Sequence, residues 1–272
     1  MQLFIGQFNS QIFKDRLERY NLDLSIFLDI RPKDTNDLSK YNIIILQEPN
    51  LYFGHHNFTL QNADIFDLIL TYNDLLLNRL KNAQFMPFGA TWFLPEQYQK
   101  VHEKKFQIAH LCGKLKLTYG HMIRHELLAR EDELDNIPKK FYYTYGSRDI
   151  IEEARIGKEE VFGDCQYGVC IENTSHRGYF TEKILDCFLL RTIPIYWGCS
   201  NIDDFFNDEG IIHIQNTDDA IKKINQLTPE FYQSRINLGM IDYNYKQALK
   251  YVCYENNILD KIERFLKDKG LI

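Results

Sequence analysis

The sequence predicts an α/β fold built on mostly parallel sheets. Short apolar runs alternate with amphipathic helical patterns along almost all of the 272 residues. Most of these runs lack polar alternation, which is typical of strands covered on both faces. The hydrophobic fraction of 44% supports a large buried core and excludes a disordered or collagen-like chain.

The candidate strands are rich in β-branched and aromatic residues, as in NIIILQ and FDLIL. They are Gln2–Ile5, Ser25–Asp29, Asn42–Gln47, Phe66–Leu70, Gln107–Cys112, Phe141–Tyr145, Tyr167–Glu172, Ile193–Trp197 and Ile211–Gln215. The helices predicted between and after them are Gln11–Tyr20, Gly120–Ala129, Glu182–Arg191, Asp218–Leu227 with Thr217 as N-cap, and Asn257–Asp268.

A boundary between two α/β units is predicted near Met86–Lys105. This segment carries two prolines and a glycine, becomes strongly polar, and precedes a new strand. We expect domains at residues 1–98 and 99–252, followed by a helical segment at residues 253–272. Ligands of such sheets bind beyond the carboxyl ends of the strands, so the loops after the strands are the first place to search.

The net charge, the apolar stretches and the cysteines limit the classes of partner and the cellular location that we expect. The formal net charge of −6 does not favour nucleic acid or an anionic membrane surface. No apolar stretch approaches the roughly 20 residues that a spanning helix needs, and the first segment does not resemble a signal peptide. The six cysteines form no CxxC pair. We therefore expect reduced thiols and a cytoplasmic location, in a bacterium or a virus-infected host, compatible with peripheral membrane association.

The most informative segment is Tyr167–Phe206. Its strand YGVCI ends at Glu172–Asn173, a polar loop follows, and a helix begins near Thr181 before the strand TIPIYWG closes a βαβ unit. The helix N-terminus offers unpaired N–H groups and the positive end of the helix dipole.

Two charged residues occupy the first turn of that helix. Lys183 is unexpected there, because a cation is disfavoured at a helix N-terminus, and it suggests a phosphate over the helix end. Glu182 is suited to accept hydrogen bonds from ribose or sugar hydroxyls. The alternative is that Thr181 and Glu182 only cap the helix and Lys183 is solvated.

Other residue patterns in the sequence have simpler explanations. His121 and His125 have the i, i+4 spacing of a zinc pair, but Met122 stands where a metalloprotease has its glutamate. The acidic pairs at Asp203–Asp204 and Asp218–Asp219 are interpreted as solvated caps, and the pair His55–His56 as solvated loop residues. Dinucleotide, P-loop and GxSxG motifs are absent from the sequence.

The segment ENTSHRGYFTEKILDCFLLRTIPIYWG resembles the donor-binding signature of the α-1,3-fucosyltransferases. FQIAHLCGKLKLTYGHMIRHELL is similar to the strand, loop and helix in which that family places an arginine on the donor diphosphate. IILQEPN, followed by IFDLILTYND and MPFG, is similar to the family's N-terminal acidic motif and the strand after it.

The resemblance implies a GT-B glycosyltransferase with two Rossmann-like domains facing a cleft. Residues 1–98 would form the acceptor side, residues 99–252 would bind the nucleotide sugar, and residues 253–272 would pack back across the cleft. The implied reaction is inverting transfer of L-fucose from GDP-fucose to a hydroxyl of an oligosaccharide or glycan, with no obligatory cofactor or divalent metal.

The resemblance also implies roles for individual residues. Arg124 and Lys183 would hold the diphosphate, while Asn173, Tyr179 and Glu182 would order the nucleotide and the sugar, with Glu172 as a structural neighbour. The catalytic group would comprise Glu182 and Lys183 together with Glu48, which would take the proton of the acceptor hydroxyl.

Two other functions stay open at this point. The same fold could use another donor, such as UDP-xylose or a UDP-hexose. The chain could also be a non-catalytic sugar-binding or nucleotide-binding module that kept the fold and lost turnover.

Overall fold

A computed structural model describes residues 1–5, 10–144, 150–151 and 156–272. The predicted strand end Tyr145 lies outside the described residues. Contacts between Cα atoms divide the chain into two compact units. The first unit contains residues 1–88, 177–179 and 253–272, and the second contains residues 89–176 and 180–252. The predicted division into functional domains stays a proposal.

Strands and helices are interspersed along the described part of the chain, which ends in four consecutive helices. The strands are β1 (Gln2–Phe4), β2 (Leu24–Leu28), β3 (Tyr41–Leu46), β4 (Leu68–Thr71), β5 (Ala83–Phe85), β6 (Lys105–Gly113), β7 (Lys139–Thr144), β8 (Ile150–Ile151), β9 (Ile156–Gly157), β10 (Cys165–Ile171), β11 (Ile193–Trp197) and β12 (Ile212–His213). The helices are α1 (Ser10–Leu17), α2 (Asn50–Phe53), α3 (His55–Gln61), α4 (Asp74–Arg79), α5 (Pro95–Tyr98), α6 (Tyr119–Ala129), α7 (Lys158–Phe162), α8 (Glu182–Leu189), α9 (Thr217–Ile224), α10 (Pro229–Asn237), α11 (Met240–Ala248) and α12 (Tyr254–Asp268).

The first unit is built on a parallel sheet. Its described strands lie in the order β1-β2-β3-β4-β5, and every neighbouring pair is parallel. Leu28 pairs with Ile45, and Leu46 pairs with Thr71. This register brings the residues that follow β2, β3 and β4 to one edge of the sheet.

Helix α12 is the C-terminal element of this unit. Ile258, Leu259 and Ile262 on its apolar face are fully buried, as the helical periodicity predicts. Arg16 of α1 donates to Glu263 of α12, with 2.9 Å between Nη2 and Oε2. A charge-assisted bond of this kind ties the start of the unit to its end.

The second unit contains another parallel sheet, whose described strands have the order β12-β11-β10-β6-β7. Helix α8 connects β10 with β11 and buries an unbroken run from Ile184 to Leu189. The predicted βαβ unit is therefore confirmed, and so is the α/β class with two parallel sheets. Among the described residues, β8 and β9 form a separate antiparallel pair.

Several local predictions needed correction. The N-cap of α9 is Asn216 rather than Thr217, because the Asn216 side chain accepts the Asp219 N–H. His55 and His56 lie on helix α3 rather than in a loop, and His56 is buried. Within the described part of the chain, no helix is long and apolar enough to cross a membrane.

Candidate functional site

A buried carboxylate joins the end of β10 to the start of α8. Glu172 follows β10 directly and is fully buried. Its Oε1 accepts the Thr181 N–H at 2.8 Å, and its Oε2 accepts the Thr181 hydroxyl at 2.7 Å. Burial raises the pKa of Glu172, although Lys183 and the two bonds from Thr181 oppose the rise. The two ends of the loop after β10 are thereby held together.

Lys183 occupies the first turn of α8, beside three oxygen atoms. Its Nζ lies 3.1 Å from Thr181 Oγ1, 3.2 Å from Glu182 Oε1 and 3.6 Å from Glu172 Oε2. Burial alone would lower the pKa of Lys183, but the Glu182 and Glu172 carboxylates raise it above its ordinary value. Lys183 is therefore a permanent cation with a fixed position. The Glu182 and Glu172 carboxylates thus stabilise the Lys183 charge in the first helical turn even without a bound anion.

Glu182 is the anionic partner in this cluster. Burial would raise its pKa, but Lys183 and Lys158 lower the pKa of Glu182 to about 2. Trp92 donates a further hydrogen bond to its carboxylate. Lys158 itself is paired with Asp186 of α8, whose other oxygen accepts the Thr91 hydroxyl at 2.7 Å. Glu182 therefore stays ionised and can accept hydrogen bonds from hydroxyl groups near neutral pH.

Arg124 and Asn173 meet beside this cluster. Arg124 Nη2 donates to Asn173 Oδ1 at 2.6 Å, and its Nε donates to the Gly120 carbonyl at 3.3 Å. The guanidinium group has five N–H donors, and these two bonds within the described residues leave others for an anion. The structure thus places four predicted residues, Arg124, Asn173, Glu182 and Lys183, in the second unit around the carboxyl end of β10.

Two glycines allow the close packing around Glu172. A Cβ at Gly120 would lie 1.8 Å from the Glu172 carbonyl oxygen, so the first turn of α6 can approach β10 only without a side chain. A Cβ at Gly198 would lie 2.4 Å from Glu172 Cγ. Neither glycine was predicted from the sequence. Gly198 directly follows β11, and Gly120 packs against the residue that follows β10.

A cavity of about 460 Å³ lies beyond the carboxyl ends of β11 and β12. Trp197, Gly198, His213 and Gln215 line it, together with Ser175 from the loop after β10. Its volume is in the range of small-molecule sites. Ser175 donates to the Gly198 carbonyl at 2.7 Å, which joins the cavity wall to the loop that starts at Glu172. Sequence reasoning pointed to this edge of the sheet but did not identify these residues.

The remaining predicted residues lie in the first unit. Glu48 follows β3 and is partly buried. Its backbone N–H donates to Asp29, at 3.2 Å from Oδ1 and 3.3 Å from Oδ2. Tyr179 is fully buried, and its ring centroid lies 4.9 Å from that of Tyr72, which follows β4. The roles predicted for Glu48 and Tyr179 stay predictions.

The histidines considered for zinc have other partners. His121 Nδ1 lies 2.6 Å from Thr118 Oγ1 at the cap of α6, and His125 Nε2 lies 3.1 Å from the Leu115 carbonyl. Burial, followed by the charge of Arg124, lowers the pKa of His121 to about 4. His121 therefore serves the capping box of its own helix.

Comparison with known proteins supports the resemblance seen in the sequence. A profile of the family described as "Glycosyltransferase family 10 (fucosyltransferase) C-term" matches residues 129–230. The matched segment contains Asn173, Tyr179, Glu182 and Lys183. The α-(1,3)-fucosyltransferase FucT of Helicobacter pylori is 34% identical over 115 residues. That alignment covers 40% of this chain and 23% of the relative.

Solved structures extend the likeness to the fold of nearly the whole chain. One described as a crystal structure of an α1,3-fucosyltransferase has a TM-score of 0.58 and 16% identity, covering 95% of this chain and 89% of that one. Another, an α1,3-fucosyltransferase with GDP-fucose, has a TM-score of 0.50 and 18% identity, covering 87% and 78%. These structures confirm the predicted GT-B fold class, and the family profile and the Helicobacter relative confirm the resemblance to the α-1,3-fucosyltransferase family. The names of the family and the relative support the predicted glycosyltransferase class.

The packing of Gly120 leads to a testable prediction. Gly120→Ala should lower the melting temperature, although replacing a helical glycine by alanine ordinarily stabilises a protein by roughly 1 kcal/mol. The added methyl would force α6 away from β10 and break the bond between Arg124 and Asn173. Differential scanning calorimetry measures the effect.

Gly113→Ala is the matched control, because a Cβ there meets nothing within 4 Å. It should leave the melting temperature of the protein nearly unchanged. Equal melting temperatures for the two variants would contradict the close packing of α6 on Glu172.

Proposed function

We propose that the chain catalyses inverting transfer of L-fucose from GDP-fucose to a hydroxyl group of a carbohydrate acceptor. The observation that carries the proposal is the cluster of Lys183, Glu182 and Glu172 at the start of α8, within the segment that matches the fucosyltransferase profile. The name of the Helicobacter relative and the GDP-fucose bound to a protein of similar fold support the same donor.

The donor diphosphate would bind at the N-terminus of α8. Lys183 carries a charge that does not titrate near neutral pH, and Arg124 offers further N–H donors in a planar array suited to phosphate oxygens. The Thr181 hydroxyl oxygen accepts the Lys183 N–H, and the other N–H groups of the first helical turn add the positive end of the dipole. Because these groups supply positive charge from the protein, the proposed reaction has no need of a divalent metal.

The nucleoside would occupy the cavity beyond β11 and β12. The cavity adjoins the Glu172 loop through Ser175 and Gly198, so a ligand there could continue into the diphosphate site. Trp197 and His213 line it with flat rings, which can stack on a base. Glu182, ionised and held in place, would accept hydrogen bonds from hydroxyl groups of the donor.

The proposed chemistry is a single displacement. The acceptor oxygen forms a bond to the anomeric carbon of fucose as the bond from that carbon to the phosphate oxygen breaks. The electron pair of the broken bond leaves with GDP, where Lys183 and Arg124 would stabilise the developing charge. The proton of the acceptor hydroxyl passes to the Glu48 carboxylate, and base catalysis of this type contributes about 10²–10⁴-fold.

A thermal-shift panel tests the donor. GDP and GDP-fucose should raise the melting temperature, because a ligand at 100 times its Kd adds roughly 2.7 kcal/mol to the stability of the folded protein. UDP, UDP-xylose and GDP-mannose are the comparison ligands. Stabilisation by the uridine compounds alone would refute the GDP-fucose assignment, while a GDP-mannose response equal to that of GDP-fucose would refute the specificity for fucose.

Substitution of Lys183 tests the diphosphate site. Lys183→Ala should reduce transfer by about 10²-fold or more, because a cation that stabilises the leaving group is lost. Lys105→Ala is the matched control, since Lys105 also has a carboxylate partner, with 3.4 Å between Nζ and Asp164 Oδ2, but lies at the start of β6. Activity of Lys183→Ala within about tenfold of the wild type would contradict the role of Lys183.

Substitution of Glu48 tests the proposed base. Glu48→Gln should retain the thermal shift with GDP-fucose and lose transfer by about 10²–10⁴-fold, because the amide cannot accept the proton. Donor binding and initial transfer rates are measured on the same preparation. A variant with weakened donor binding and normal turnover would place Glu48 outside the proton-transfer step.

A further inference from the structure

Asp29 lies at the edge of the sheet that carries Glu48. It follows β2, and its N–H donates to the Ile45 carbonyl of β3 at 2.9 Å. Its carboxylate accepts the Gln47 N–H at 2.9 Å and the Glu48 N–H at 3.2 Å, both just beyond the end of β3. Asp29 therefore holds the backbone on both sides of the point where β3 turns into the loop that carries Glu48.

The backbone of Asp29 is in the left-handed region, with φ of 47°. Glycine adopts this conformation without cost, and aspartate and asparagine are the side chains that tolerate it best. A glycine at this position would therefore be sufficient for the backbone conformation. The aspartate side chain adds the hydrogen bonds that its carboxylate accepts from the Gln47 and Glu48 N–H groups.

The electrostatic surroundings link the same two residues. Burial raises the pKa of Asp29 to about 7. The hydrogen bonds from the Gln47 and Glu48 N–H groups oppose this rise, and the charge of Glu48 adds to it. Burial, followed by the charges of Asp29 and Glu48, also raises the pKa of Tyr72 and of Tyr254. The two carboxylates thus lie within one shared, partly desolvated region.

We propose that Asp29 is a positioning residue for Glu48. Its carboxylate accepts two hydrogen bonds from backbone N–H groups, which fix the chain where it leaves β3, and it adds a negative charge beside the base. The inference rests on the proposed function, because it assumes that Glu48 takes the acceptor proton. Asp29 acts through Glu48 and is not assigned a contact with either substrate.

The charge of Asp29 gives the inference a pH signature. Above a pH of about 7 the ionised Asp29 carboxylate binds the two backbone N–H groups more strongly and adds its negative charge beside Glu48. Below that pH the protonated carboxyl does neither as well. The described groups that face or adjoin this pair, all in the first unit, are Arg31, His55, His56, Tyr72, Tyr179, Tyr254 and Glu255.

The experiment compares four variants by initial transfer rates from pH 5.5 to 8.5 (about the range over which a group with a pKa near 7 titrates). Asp29→Gly removes the carboxylate and suits the left-handed backbone. Asp29→Asn keeps an acceptor oxygen but has no titrating charge. Asp67→Ala is the matched control, because Asp67 Oδ2 accepts the Asn42 N–H at 2.8 Å at the opposite end of β3. Glu48→Gln reports on the base itself.

We expect Asp29→Gly to lose about 10²-fold in kcat, since misplacement of a reacting group by about 1 Å costs that much, with the KM for GDP-fucose within about twofold. Asp29→Asn should recover much of kcat and lack the rise through pH 7 that we expect of the wild type. Asp67→Ala should keep the wild-type kcat and the wild-type pH profile. Melting temperatures, measured in parallel, show that each variant is folded.

The outcomes distinguish failure of the base role of Glu48 from failure of the positioning role of Asp29. Glu48→Gln with near-normal transfer would overturn the proposed base, and the role of Asp29 with it. An inactive Glu48→Gln beside an Asp29→Gly that matches Asp67→Ala would overturn the role of Asp29 alone. The role is also overturned if Asp29→Asn retains the wild-type rise through pH 7.

Discussion

The second unit depends on the bonds between the Glu172 carboxylate and Thr181. A carboxylate buried without partners would destabilise the fold, whereas here both of its oxygens are hydrogen-bonded and Lys183 lies 3.6 Å away. These bonds fix where α8 begins relative to the end of β10. Since Lys183 is the second residue of that helix, its ammonium group is fixed by the same bonds. The close packing at Gly120 and Gly198 leaves room for this carboxylate and for the backbone that carries it.

Much of the fold could be predicted because the buried strands have unambiguous compositions. β3 and β11 are almost wholly apolar, and α8 and α12 have clear helical periodicity. β5 was missed because its three residues, AQF, form an edge strand without an apolar run. The short helices α2 and α3 were missed because their periodicity is too brief to distinguish them from a loop. Asn216 replaced Thr217 as the N-cap because both residue types can cap a helix, and only the backbone conformation selects between them.

The candidate site was predictable to the extent that it lies within one continuous segment. Asn173, Glu182 and Lys183 were identified because Glu172, directly after β10, and Thr181, the N-cap of α8, are only nine residues apart in the chain. Glu172 was identified only as a neighbour, since the sequence does not show that its carboxylate turns inward to Thr181. Asp29 was not identified at all. Its relation to Glu48 depends on the pairing of Leu28 with Ile45, and parallel pairing between distant strands leaves no local signal in the sequence.

The placement of α12 has a consequence for how the polypeptide forms as it is synthesised. The first unit combines residues 1–88 with residues 253–272, so its apolar core is completed by a helix that is translated after the entire second unit. On the ribosome, the first unit therefore cannot bury Ile258 and Leu259 until α12 has been synthesised. The two units also differ as fragments. The second unit spans residues 89–252 apart from residues 177–179, whereas the two main segments of the first unit, residues 1–88 and 253–272, lie on either side of it in the chain and would need a new covalent connection to form one fragment.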